Sequence, residues 1–145
     1  MELKQTCLAA FASEFSFYLK AHGYHWNVVG RDFQEYHDLF GGIYDEVYGS
    51  IDDFAEKIRA LQATIPASLA SLNSLSLIAG APDTPPTKDE MVKQLLADND
   101  TLITALKAGY EGCDSAGEYG FANFFADRMD AHRKHGWKLR SSMVL

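Results

Sequence analysis

Apolar residues recur along most of this chain at intervals of three to five, the spacing at which side chains return to one face of an α-helix. Leu3, Leu8, Phe11, Phe15, Tyr18 and Leu19 draw one such stripe, predicting a helix that ends near His25, and Gly30 marks a break after it. From about Asp32 the period resumes through Phe33, Tyr36, Phe40, Ile43, Tyr44, Val47, Ile51, Phe54, Ile58 and Leu61. No proline interrupts these positions, so one helix of about thirty residues, or about 45 Å, is expected. Pro66 stops it. The stretch Ser68–Ala79 has the pattern of one small helix, and Ala81-Pro82-Asp83-Thr84-Pro85-Pro86 is the clearest loop in the chain.

Beyond that loop, Thr87 followed three residues later by Glu90 forms a capping-box pattern for a third long helix carrying Met91, Leu95, Leu96, Leu102, Ile103 and Leu106. Gly109 and Gly112 are expected to close it, with a turn over Asp114–Gly117. A fourth helix then runs through Phe121, Phe124, Phe125, Met129, His132, Gly136 and Leu139 to the end. Four long helices, a short one between the second and third, and no alternating strand pattern predict an all-α four-helix bundle. The connection holding the short helix must travel the length of the bundle.

The 145 residues at 16.1 kDa fit a single domain spanning 1–145 with a real core, and leave no room for a second. A net charge of −7 argues against a surface that clamps a polyanion and favours one that gathers cations. Cys7 and Cys113, far apart in sequence, make neither a disulfide framework nor a CxxC motif, and are expected to be buried filler in a reducing compartment. No signal segment or membrane span is evident, so a cytoplasmic protein with no membrane partner is expected.

The second helix holds an unusual density of metal-capable side chains: Glu35, His37, Asp38, Asp45, Glu46, Asp52, Asp53 and Glu56, with His25 just upstream. Most are expected to be ordinary solvated charges. Asp52 and Glu56 are four apart and share a face, as two oxygen donors to one cation must. His37 stands fifteen residues before Asp52, a rise of about 22 Å, so one subunit cannot bring both to one metal. Two copies of the helix crossing antiparallel about a two-fold axis could. The pairs His37/Glu56 and Gly41/Asp52 share a midpoint between residues 46 and 47, and a dimer centred there forms two identical sites. Gly41, Gly42 and Gly49 each cost the helix about 1 kcal/mol relative to Ala, which makes sense where backbones approach closely.

These residues also carry a family resemblance. His25-Trp26-Asn27-Val28, Gly30, Phe33, His37 and Phe40, then Asp52-Asp53-Phe54-Ala55-Glu56-Lys57-Ile58-Arg59, resemble the Dps family, the dodecameric mini-ferritins named as DNA-binding proteins from starved cells. The run His132-Arg133-Lys134-His135-Gly136-Trp137-Lys138-Leu139-Arg140 resembles that family's fourth-helix signature. The resemblance implies a homo-dodecamer built from two-fold dimers. It implies metal ligands His25 and His37 from one subunit with Asp52 and Glu56 from its neighbour, and Trp26 as an oxidisable neighbour. It further implies ferroxidase activity, in which ferrous iron is oxidised by hydrogen peroxide or oxygen and stored as ferric mineral, limiting oxidative damage. The alternative from another class is a shell-forming or nucleoid-associated structural protein with impaired oxidation. A diiron enzyme working inside one bundle would need Glu-x-x-His pairs, and Met129 and Gln34 stand where His132 and His37 would require Glu.

One departure is Gly41, where the family usually has Asp. The loss predicts one well-held metal and a weak second one, with Asp45 a partial substitute and Asp38 a poorer one. Trp137 is expected to pack in the core, His132 and His135 to be structural, and His22 to lie on the other side of the helix end. Tyr24, Tyr36, Tyr44 and Tyr48 could quench radicals or carry electrons, but an oligomer interface is the favoured expectation. Asp114, Glu118, Asp127 and Asp130 fit either an iron-entry pore or, for the first two, placement near a helix N-terminus.

Weak or absent DNA binding is expected, because Met1-Glu2-Leu3-Lys4 and Arg140-Ser141-Ser142-Met143-Val144-Leu145 supply few cations against an acidic surface. A gel shift at about 150 mM salt should show no retention of duplex DNA at submicromolar protein.

Overall fold

The computed structural model describes residues 2–143, and five helices fill most of them. They are α1 (Leu3–Asn27), α2 (Phe33–Ala60), the short α3 (Leu69–Leu75), α4 (Lys88–Ser115) and α5 (Tyr119–Ser141). Two antiparallel hairpins, α1 with α2 and α4 with α5, lie against each other mainly through α1 and α4. Phe11 meets Phe54 and His25 meets His37 along the first hairpin, and Asn99 meets His132 along the second. The segment between α2 and α4 runs along α1: Ser13 Oγ accepts from the Leu77 amide at 2.9 Å, and Lys20 Nζ donates to the Ala79 carbonyl at 3.2 Å. The four-helix bundle with a crossover helix is therefore as the sequence pattern required. Among the described residues, no helix is long and apolar enough to cross a membrane.

Local chemistry explains the boundaries. Thr87 Oγ1 accepts from the Glu90 amide at 3.2 Å, so the N-cap half of the predicted box forms. Ser68 caps α3 in the same way through the Ser71 amide. Gly109 and Gly112, however, do not close α4, which continues to Ser115 and turns at Gly117 with φ of 76°. These two glycines are notches. A Cβ at Gly109 would sit 2.4 Å from the Phe125 ring, and one at Gly112 would sit 2.9 Å from Leu3. The helix tolerates them because a neighbouring side chain fills the missing volume.

The buried face of α1 also differs from the predicted stripe. Cys7, Ala10, Phe11, Glu14, Phe17, Ala21 and Tyr24 form the inward line, whereas Leu19 is exposed and Leu3, Leu8, Phe15 and Tyr18 are only half-buried. α1 touches three neighbours, so its large apolar residues serve the flanks while small and polar ones line the centre. Cys7 and Cys113 are free and buried as expected, and burial pushes the Cys7 thiol above its usual range. Trp137 is not in the core: it is 58% exposed, because the inward face of α5 passes through His132, His135, Gly136 and Leu139.

At the centre of the bundle sits a charged cluster that sequence spacing did not reveal. Glu14, fully buried on α1, offers Oε1 to Arg128 Nη2 at 2.6 Å and to His132 Nε2 at 2.8 Å, with Ser50 Oγ at 3.2 Å. Arg128 Nη1 also donates to Glu46 Oε2 at 2.6 Å, and His135 Nε2 lies 2.7 Å from Glu46 Oε1. Asn99 of α4 completes the set, its Oδ1 2.8 Å from His132 Nδ1 and its Nδ2 donating to the His132 carbonyl at 2.8 Å. All four long helices thus meet through this cluster. His132 and His135 are structural, as expected, whereas Glu46 is an ion-pair partner rather than a free surface charge.

Burial alone would raise the Glu14 carboxyl, but the charges and hydrogen bonds of His132 and Arg128 hold it below its ordinary range. Glu46 is likewise held low against its own burial by hydrogen bonds from His135 and Arg128. Removing one partner would strand a buried charge, a change that costs about 3–5 kcal/mol.

The folded chain therefore binds fewer protons than the unfolded chain on the acid side. Stability contributed by Glu14 and Glu46 is present above their unfolded value of 4.5 and is lost as pH falls below it. His135, lowered from 6.5 chiefly by burial, begins the same loss at milder acidity. Denaturant midpoints measured across pH should be level near neutrality, decline from about pH 6.5 and fall more steeply below about 4.5.

Candidate metal centre

His25 ends the last full turn of α1 and His37 lies in the second turn of α2, and the tight corner between the two helices brings them together. Their rings stack with centroids 3.7 Å apart. Each Nδ1 donates to the other residue's backbone carbonyl, both at 2.7 Å. The contact does two things. It satisfies the carbonyl that His25 would otherwise leave unpaired at the end of α1, and it fixes both imidazoles in the tautomer whose Nε2 carries a free lone pair. A hydrogen-bonded Nδ1 that orients a free Nε2 is the arrangement of a metal-ligating histidine. Phe33 packs against the far side of His37 at 5.0 Å.

Gly41 has a physical role in this contact. A Cβ there would sit 3.1 Å from His25 Nδ1 and 3.2 Å from its Cε1. The His25 ring reaches the His37 carbonyl across the next helical turn, and residue 41 is the position that would crowd it. What approaches Gly41 within the chain is thus the His25 side chain and not a second backbone. Gly42 and Gly49 have open space around them.

Asp52 and Glu56 lie on the exposed face of α2, and Asp53 joins them: one carboxylate oxygen from each lies within 4.8 Å of the others. The sequence pattern names Asp53 among the metal-capable side chains but not among the ligands, although its spacing of three from Glu56 was the available signal. These donors are oxygen atoms in water, suited to a hard or borderline cation. Within one chain the structure unites His25 with His37, and Asp52 with Glu56, but not the two pairs with each other. About 22 Å of unbroken helix separates them.

Trp26 is 60% exposed and sits beside His22, ring centroids 4.1 Å apart. His22 is not on the opposite side of the helix end. It stacks on Tyr44 at 3.7 Å with an interplanar angle of 7°, on the same α1–α2 seam as His25. A separation of three residues on a helix puts His22 and His25 on neighbouring positions of one face, a signal already present in the sequence. Asp45 is exposed, and Asp38 accepts from Gln34 Nε2 at 3.0 Å one turn back.

Comparison with known proteins places this arrangement in context. Residues 9–144 match the family profile of the Ferritin-like domain. General stress protein 20U of Bacillus subtilis (strain 168) is 31% identical over 125 residues, covering 86% of this chain and 85% of the relative. The DNA protection during starvation protein of Brevibacillus brevis is 31% identical over 129 residues, covering 86% and 83%. Among solved structures, a Dps protein from Vibrio cholerae O1, described as a member of a broad superfamily of ferritin-like diiron-carboxylate proteins, superposes with a TM-score of 0.89. It is 25% identical, and the match covers 96% of this chain and 87% of that one.

Substituting Gly41→Ala should displace the His25 ring by a few tenths of an ångström and weaken its bond to the His37 carbonyl. Calorimetric titration with a redox-inert divalent cation should then show about tenfold lower affinity with the helix content unchanged.

Proposed function

The chain belongs to the Dps family of ferritin-like proteins, and from that premise we propose that it binds and oxidises ferrous iron at sites shared between two subunits. The reading is supported above all by two half-sites, one at the α1–α2 corner and one farther along α2. One is a pair of imidazoles locked with their Nε2 atoms free, and the other is a carboxylate cluster about 22 Å along α2 from His37. Each is too poor in donors to saturate a cation. An antiparallel crossing of two α2 helices about residues 46 and 47 would set His25 and His37 of one protomer against Asp52 and Glu56 of its partner, twice per dimer.

In this reading the histidines and carboxylates hold ferrous iron as substrate and leave coordination positions open for the oxidant. Two ferrous ions give one electron each to a peroxide, which avoids the single-electron reduction that would release a radical. Trp26 stands beside the site as an oxidisable side chain. Absence of a carboxylate at Gly41 leaves the second iron with fewer donors, so one ion is held tightly and the other weakly. Asp53, in reach of Asp52 and Glu56, supplies part of what Gly41 lacks. The product is a ferric mineral stored inside a hollow homo-oligomer of twelve subunits, and the benefit is protection from peroxide-driven damage. The acidic surface charge would favour entry of cations into such a shell.

Complementation tests the shared site directly. Ferrous oxidation by peroxide, followed by absorbance, should be lost in His37→Ala and in Asp52→Ala. Mixing the two variants after disassembly should restore about a quarter of wild-type activity, since half of random dimers are mixed and each carries one intact site of two. No recovery on mixing, with dimers shown to exchange, would overturn the shared-site reading.

A further inference from the structure

Beside the two metal-binding histidines, the α1–α2 seam carries a second polar and aromatic cluster with no part in holding iron. The Tyr18 hydroxyl lies 3.0 Å from His22 Nδ1, one helical turn along α1. The His22 ring is sandwiched between Tyr44, stacked at 3.7 Å, and Trp26 at 4.1 Å. Tyr48 approaches Tyr18 with ring centroids 4.9 Å apart. Tyr44 in turn lies 5.1 Å from His25. An unbroken series of aromatic contacts therefore leads from a metal-binding imidazole to the Tyr18 phenol.

Loss of an electron turns a phenol into a strong acid, so a tyrosine is oxidised readily only where a base can take its proton within hydrogen-bond reach. The other hydrogen-bonded phenols near this region lack such a base. Tyr24 donates to the Gln94 amide oxygen and Tyr36 to the Ser142 carbonyl, and neither acceptor is basic. Among the described residues, Tyr18 alone has its hydroxyl within hydrogen-bond reach of an imidazole. Burial raises the Tyr18 phenol, which keeps its proton near neutrality until an oxidant removes the electron.

We propose that Tyr18 and His22 form a redox pair that disarms one-electron oxidants of the hydroxyl-radical class arising at this seam. The Tyr18 O–H bond breaks. Its electron passes to the oxidant, reducing a hydroxyl radical to hydroxide, and its proton moves to His22 Nδ1, leaving a neutral tyrosyl radical beside an imidazolium. Tyr44 and Trp26 are the contacts through which the oxidising equivalent travels to Tyr18. The oxidant arises where the weakly held second iron is missing and peroxide takes a single electron from the first, so its source rests on the iron chemistry proposed above, whereas the pair itself does not.

The test uses iron-free protein and azide radicals produced by pulse radiolysis, with tyrosyl absorbance as the readout. Tyr18→Phe should remove most of the long-lived tyrosyl signal, and His22→Phe should slow its formation several-fold, while Tyr48→Phe retains most of it. An unchanged signal in Tyr18→Phe, or wild-type kinetics in His22→Phe, would overturn the pair. With ferrous iron and peroxide, Tyr18→Phe should oxidise iron at the wild-type rate yet release more spin-trapped radical. Wild-type protein that fails to oxidise iron would sink the proposed function and leave the iron-free result standing.

Discussion

A carboxylate with no access to water stays charged only where neighbouring cations and donors replace its hydration. Glu14 is that carboxylate, and the architecture is arranged around its compensation. Arg128 and His132 must arrive from α5, Ser50 from α2, and Asn99 must hold the His132 ring from α4. Four helices of amphipathic sequence could pack in several rotations. Only those that bring these groups to one point avoid a stranded charge.

That compensation also determines where cation chemistry is placed. The middle of the bundle contains carboxylates and imidazoles, the side chains that hold metals elsewhere, but the Arg128 guanidinium bridges Glu14 and Glu46 there. The donors that a cation can reach from water lie outside, on α2 and at the corner with α1. A surface donor set with free valences favours a second protein surface as its complement. In the proposed reading α2 supplies His37 near its beginning and Asp52 and Glu56 past its middle, so association and metal binding would be linked through one rigid rod.

Much of this was legible in the residues themselves. The helices followed from period and caps, and the Asp52/Glu56 pair from a spacing of four. His22 lies on the same face as His25, a placement that their spacing of three residues on one helix already encodes. Trp137 was assigned to the core from its chemistry, yet it falls off the face traced by His132, His135 and Leu139. The Glu14–Arg128 contact joins positions 114 apart, and no local pattern encodes such a pairing. Gly41 illustrates a different limit: a missing side chain reads as a lost donor until the ring occupying its volume is seen.

The glycine notch on α4 has a consequence for alignment. Helices packed side by side can slide by one turn, about 5.4 Å, and still bury similar apolar area, so hydrophobicity alone leaves several nearly equivalent registers. Phe125 seated over Gly109 removes that degeneracy by shape. One turn in either direction the ring would face Ala105 or Cys113, each of which carries the Cβ that Gly109 lacks. The register in which the ring sits over Gly109 is the one that sets His132 against Asn99. A void the size of a methyl group thus acts as a vernier for the bundle, converting a steric coincidence into the placement of its buried charges.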